Sequence, residues 1–173
     1  ILWVLIYVDD ALIVDNDSEL RDRFVSDLGR RFPVEDKGDL GWILNIAVQR
    51  DRLKRTLTFS QELYIDDLLS KCDGFISEST TRRFDSPLDE NVNLKPETSP
   101  TVGTDEYTAM AAQRSMYMTV VGGLLWLANM TRPDIAFAAS QLARVLGNPG
   151  PHHVRAATRV LIYLRGTKSR ALT

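Results

Sequence analysis

Residues 1 to 16 read ILWVLIYVDDALIVDN, and two adjacent carboxylates, Asp9 and Asp10, divide this apolar stretch in two. Ile1 to Val8 and Ala11 to Val14 each have the length and composition of a short buried strand, bounded by acidic turn residues and too short to span a bilayer. The pattern predicts a β-hairpin with Asp9-Asp10 at its tip. Consecutive side chains of a regular strand point to opposite faces, so neighbouring aspartates share a ligand easily only at a turn. Two buried carboxylates flanked by Ile6, Val8 and Leu12 would repel one another and be poorly solvated, which predicts that they take up a proton or a cation. Mg²⁺ is the natural candidate, because it takes hard oxygen ligands and keeps waters and substrate phosphates in its shell. An acidic tip facing solvent is the plainer alternative, and the apolar flanks weigh against it.

With 173 residues and 44% apolar content, the chain can build one domain with a core, or two small ones, and is not a disordered protein. It opens at Ile1 inside a strand with no charged n-region or cleavage site, which reads as a piece of a longer polypeptide rather than a signal peptide. The single cysteine, Cys72, excludes an internal disulfide, fits an intracellular protein and is expected to pack on a helix. The net charge of −2 hides an asymmetry. Residues 1–106 carry 13 Lys and Arg against 22 Asp and Glu, whereas residues 107–173 carry 8 against 1. A basic final third suggests a polyanionic partner, nucleic acid first, with a solvated helical surface as the alternative.

After the hairpin, Asp15 to Ser18 forms a turn that supplies a side-chain acceptor to a helix with Leu20, Phe24 and Leu28 on its apolar face, closed by Pro33. Its charged residues read as solvated surface. Trp42 to Val48 alternates as a strand, Asp51 to Arg55 turns, and Leu57 and Phe59 lie on the return strand of a second hairpin. Ser60 is the expected N-cap of a helix with Tyr64, Ile65, Leu68, Leu69 and Cys72 inside. Residues 73–106 lose apolar periodicity and read as a linker or long surface loop. A helix returns from Gln113 to Met130, with Tyr117, Val120, Val121, Leu124 and Ala128 on one side and Met118, Gly122 and Trp126 in a separate line at spacing four. Gly122-Gly123 costs helix stability twice, which implies either close approach of something to the backbone or tight helix packing. Thr131 to Asp134 starts a second helix carrying Ile135, Ala138, Ala139, Leu142 and Val145. After a break at residues 147–151, a third runs from His152 to Arg165 with Gly166 as its C-terminal cap. His152 and His153 have no zinc-ligand companions and read as surface residues.

The order of these elements resembles the reverse transcriptase of copia-type retrotransposons across nearly the whole chain. The resemblance is carried by Tyr7-Val8-Asp9-Asp10 as a Y-x-D-D hairpin, Asp36 to Leu40, LTFSQELYIDDLL at 57–69, VVGGLLWL at 120–127, TRPDI at 131–135 and RVLIYLRGT at 159–167. It implies an α+β fold: the C-terminal part of a polymerase palm at 1–72, a linker at 73–106 and a three-helix thumb and extension at 107–173.

The resemblance also implies an RNA-directed DNA polymerase using two Mg²⁺ ions, with Asp9 and Asp10 as catalytic and metal-holding residues. Tyr7, Val8 and Lys37 would lie near the incoming nucleotide. Trp42, Ile43, Leu44 and Asn45 would form a primer grip, although Asn45 replaces the family's usual glycine and Ala47 its usual acidic residue. Met118, Gly122 and Trp126 would track the minor groove of a template-primer duplex, with Arg114 and Arg132 on phosphates. The implied partners are an RNA or DNA template with its primer, a dNTP, the fingers and remaining palm upstream, and a ribonuclease H downstream. No membrane partner is expected, and the implied setting is a cytoplasmic virus-like particle or the nucleus. The metal pair needs a further aspartate from an earlier palm strand, so this chain alone is expected not to polymerise. A non-catalytic nucleic-acid-binding remnant of a decayed element is the rival, and an α+β interaction domain without a nucleic-acid partner is a third reading.

Overall fold

A computed structural model describes residues 1–75, 83–90, 92 and 94–173. Its architecture is α+β. Strands β1 (Leu2–Tyr7) and β2 (Asp10–Asp15) pair antiparallel from Leu2 opposite Asp15 to Tyr7 opposite Asp10. Helix α1 (Ser18–Gly29) follows, capped by Asp17, whose Oδ1 accepts from the Glu19 and Leu20 amides at 3.1 Å each. None of its residues is buried, so the Leu20, Phe24, Leu28 face is only partly covered.

The expected strand at Trp42 to Val48 is two strands. β3 (Trp42–Ile43) and β4 (Ile46–Asp51) are joined by Leu44-Asn45, both at positive φ (51° and 61°). Positive φ at both central residues is the geometry of a tight hairpin turn whose twist matches that of the strands, and asparagine tolerates it well. Asn45 thus retains the backbone freedom that glycine would supply at this position. β5 (Thr56–Ser60) completes a sheet of order β3-β4-β5.

Helix α2 (Glu62–Lys71) is preceded by Gln61 rather than Ser60 at its N-cap. The helical remainder comprises α3 (Asp105–Ala109), α4 (Ala111–Met130), a 3-10 turn at Pro133–Ile135, α5 (Ala136–Ala143) and α6 (Pro151–Gly166). α4 supplies Tyr117, Val120, Val121, Leu124 and Leu127 to one apolar cluster, joined by Ala139 and Leu142 of α5 and Ala157, Val160, Leu161 and Leu164 of α6. Ile65 and Leu68 of α2, together with Cys72, enter the same cluster, so packing groups α2 with the helices beyond the linker. Each buried leucine or isoleucine there contributes about 1.5–3 kcal/mol relative to exposure. Tyr117 Oη donates to the Leu142 carbonyl at 2.9 Å, anchoring α4 to α5.

The segment read as a linker is partly pinned to this core. Leu94 is buried, Arg159 lies 3.9 Å over the Phe84 ring and pairs with Asp89 at 3.0 Å, and Asn148 Nδ2 donates to the Pro100 carbonyl at 2.8 Å. His153, expected at the surface, is fully buried. Its Nδ1 accepts from the Gly150 amide at 2.8 Å and its Nε2 lies 3.2 Å from Thr98 Oγ1. The ring therefore caps α6 and holds the linker against it. Burial, with His152 adjacent, lowers its pKa from 6.5 to about 4.

Ion pairs link the acidic and basic parts of the chain. Lys168 lies 3.0 Å from Asp66 and 3.7 Å from Glu62 on α2, and Arg159 takes Asp89 of the linker. Much of the basic third's charge is used inside the protein rather than offered to a partner. The tail adds a backbone bridge, with Leu172 and Phe59 exchanging hydrogen bonds of 2.9 and 2.8 Å at the free side of β5. Among the described residues, no helix is long and apolar enough to cross a membrane.

Candidate functional site

The register of the first hairpin leaves Val8 and Asp9 as its two-residue turn, with Asp10 opening β2 beside Tyr7. Val8 has φ of 55°, a left-handed conformation that a β-branched residue rarely adopts. Such strain is held only where the flanking ladder over-determines it, and here it turns the chain so that both aspartates stand at the tip. Their expected burial is not found: Tyr7, Val8, Asp9 and Asp10 are all exposed. Neither face of β1 is covered, and Trp3 and Ile6 are each 71% exposed, so no apolar wall surrounds the carboxylates. Two carboxylates are donors of the kind Mg²⁺ takes, but among the described residues no group of three or more His, Cys, Asp or Glu could hold a metal. The donor set therefore fits the ion in kind and falls short in number.

Lys37 is exposed and bonded to Glu35 Oε2 at 2.6 Å, an ordinary surface pair. In the second hairpin, Trp42 and Ile43 lie on β3 opposite Ala47 and Ile46, while Leu44 and Asn45 form the turn. Trp42 keeps 46% of its surface exposed.

Helix α4 separates its two glycines. A Cβ built on Gly123 would lie 2.7 Å from Leu68 Cδ1, so this glycine lets α2 pack closely on α4. A Cβ built on Gly122 would meet nothing within 4 Å beyond the helix itself. Of the two readings left open for the pair, packing explains Gly123, while Gly122 opens an accessible stretch of backbone. Gly122 continues a row at spacing four, Arg114, Met118, Gly122 and Trp126, in which Met118 and Gly122 are exposed and Arg114 and Trp126 are half-buried. Trp126 is not sealed in the interior. Residues 111–130 carry a single charge, Arg114. A merely solvated helix face is normally studded with charges, and this one is not.

Arg114 lies 4.5 Å over the Tyr107 ring, yet its Nε and Nη2 are buried with no hydrogen-bond partner among the described residues. Unpartnered guanidinium donors are costly and call for an acceptor. Ser115 and Thr119 are exposed beside the row and were not singled out from the sequence. The signal was the near absence of charge from a twenty-residue helix, which apolar periodicity alone does not weigh.

Arg132 is not available to a phosphate. It is 1% exposed and holds Asp134 in a bidentate pair at 2.9 and 2.8 Å, with further bonds to the Thr167 carbonyl and hydroxyl at 3.1 and 2.8 Å. The Asp134 carboxyl is pushed up by burial, but hydrogen bonds from Arg132 and Tyr163 and the charge of Arg132 outweigh this and hold it below its usual range. Expected on nucleic acid, Arg132 instead binds the start of α5 to the end of α6.

No family model matches the chain, and no solved structure matches it. Several of its relatives among known proteins are described as retrovirus-related Pol polyproteins. The retrovirus-related Pol polyprotein from transposon TNT 1-94 of Nicotiana tabacum is 36% identical over 164 residues, covering 95% of this chain and 12% of that polyprotein. The corresponding polyproteins from transposons RE1 and RE2 of Arabidopsis thaliana are each 31% identical, over 99% and 96% of this chain and 11% and 10% of their own lengths. The chain spans about a tenth of the length of these curated relatives. Over nearly all of its residues, then, it is similar to one segment of the retrovirus-related Pol polyproteins of plant transposons.

Proposed function

We propose that the chain is the C-terminal palm and thumb portion of a retrotransposon RNA-directed DNA polymerase, and that α4 guides a template-primer duplex. The observation that carries this reading is the open row on α4. Gly122 permits backbone approach, Met118 and Trp126 offer apolar contact, and the absence of charge from residues 115–130 suits packing against sugars rather than solvation. Arg114, at the end of the row, would take a phosphate oxygen on the donors that lack an acceptor, its side chain swinging outward from the buried position it holds here. Such contacts are independent of sequence, as copying any template requires.

At the hairpin tip, Asp9 and Asp10 would each offer an oxygen ligand, and the turn at Val8 keeps both carboxylates accessible. Two divalent cations, when bound, supply activation of the primer 3′-hydroxyl and stabilisation of the departing pyrophosphate. The chain's own part is to hold and orient. A third carboxylate would come from elsewhere in the polyprotein, so the chain alone does not extend a primer. The exposure of the tip also suits the rival reading, in which a decayed element keeps duplex binding and has lost chemistry.

Primer extension by the full-length polyprotein separates the two. Asp9→Asn should abolish extension while template-primer binding persists. Equal extension rates for wild type and variant would remove the catalytic reading.

A further inference from the structure

The C-terminal end of α4 reaches the β3-β4-β5 sheet by two routes, and both begin in the Thr131-Arg132-Pro133-Asp134 turn. The first is direct: Thr131 Oγ1 donates to Gln61 Oε1 at 2.8 Å in a buried contact, one residue beyond the end of β5. The second runs through the tail. Arg132 grips Asp134, Tyr163 Oη donates to Asp134 Oδ2 at 2.7 Å, and Arg170 Nη1 donates to Tyr163 Oη at 2.7 Å while lying 3.6 Å from Asp134 Oδ2. Two residues later, Leu172 pairs with Phe59 of β5.

We infer that Arg132, Asp134, Tyr163 and Arg170 form a positioning clasp that fixes the tail along β5 and thereby sets the second sheet against the end of α4. The functional meaning of that setting rests on the proposed reading of sheet and helix as duplex-handling elements. The chemistry supports orientation over simple adhesion. A half-buried bidentate ion pair contributes little net stability after desolvation, but its directional bonds admit only one arrangement of the elements that carry it. The apolar cluster already holds α4, α5 and α6 together, whereas among the described residues the tail beyond α6 is fixed by the clasp, by Lys168, by Thr167 on Arg132 and by its pairing with β5, to which Thr173 adds a 3.1 Å hydroxyl contact with Thr58.

Tyr163→Phe removes the hydroxyl that joins Asp134 to Arg170 and leaves the Arg132 pair in place; Arg170→Ala removes the outer end of the clasp. In the 173-residue chain, each variant should speed hydrogen exchange at the Phe59 and Leu172 amides about tenfold, with Val120 and Leu124 of α4 still protected. Affinity for a template-primer duplex should fall about threefold at an unchanged melting temperature and salt slope, because placement and not phosphate contact is lost. Unchanged exchange at Phe59 and Leu172, equal loss of protection throughout, or an unaltered duplex affinity overturns the proposal. If the wild-type chain binds no duplex, the proposed function fails, and exchange at the two amides still decides whether the clasp couples tail to sheet.

Discussion

Residues 1–45 and the helices α2 and α4 to α6 are both rich in apolar side chains, yet only the second group buries them. No described residue before Ile46 is buried, and Trp3, Leu5, Ile6 and Val8 are more than half exposed. In α4, by contrast, Tyr117, Val120, Val121, Leu124 and Leu127 are fully enclosed. A helix presents one stripe that two or three neighbours can close, whereas a two-stranded ribbon presents two faces and two edges and encloses nothing by itself. Apolar content alone does not decide burial; the number of covering layers does.

The largest expected effect of this contrast is on unfolding free energy. Leu124→Ala should cost about 3 kcal/mol in urea unfolding, whereas Leu5→Ala on the open ribbon should cost less than about 0.5 kcal/mol. Similar losses at the two positions would show that the ribbon shares the core.

The next effect concerns acid. The unfolded chain protonates His153 near its ordinary 6.5, while the buried ring resists protonation until about 4. Stability should be constant above pH 6.5 and fall by roughly 3 kcal/mol as pH drops through this window, a loss absent from His153→Ala. Asp134, held below its usual 3.8, contributes stability present above that value and lost only at lower pH, so the two can be separated in an acid titration. A stability that stays flat from pH 6.5 to 4 would contradict the burial of His153.

The two glycines give a smaller effect of opposite signs. Gly122→Ala adds a methyl where nothing lies near and should raise stability by up to about 1 kcal/mol through helix propensity. Gly123→Ala pushes against Leu68 and should lower it by about 1 kcal/mol. Thermal melts of both variants check the sign. Smallest of all, Asp9→Asn at the exposed tip should leave the melting temperature unchanged, and a measurable shift would indicate contacts that this hairpin does not make.

Much of this was legible in the sequence. The Asp9-Asp10 tip followed from two apolar runs with carboxylates between them, Asp17 capped α1 as its side chain allows, and period-four spacing located the buried faces of α4 and α5. Part of what escaped had long-range causes. The charge asymmetry suggested a polyanion, but Arg132, Arg159 and Lys168 find their acids in Asp134, Asp89 and Asp66, and all but the first of these pairs join residues remote in sequence. His153 resembled a surface residue because nothing local announces that Gly150 and Thr98 will fold around its ring. The turn at Leu44-Asn45 lacks the glycine that usually marks such a hairpin, so alternation ran through it as one strand. Burial of Asp9 and Asp10 was expected from their flanks, and two strands alone supply no layer to cover them.

The central claim is that the open row on α4 receives a nucleic-acid duplex, and fluorescence anisotropy with a labelled template-primer tests it most directly. The account predicts binding that weakens steeply with salt, is indifferent to duplex sequence, and is reduced about tenfold in Gly122→Leu without a fall in melting temperature. Equal affinity of the wild-type and Gly122→Leu chains, or binding that does not respond to salt, would contradict it.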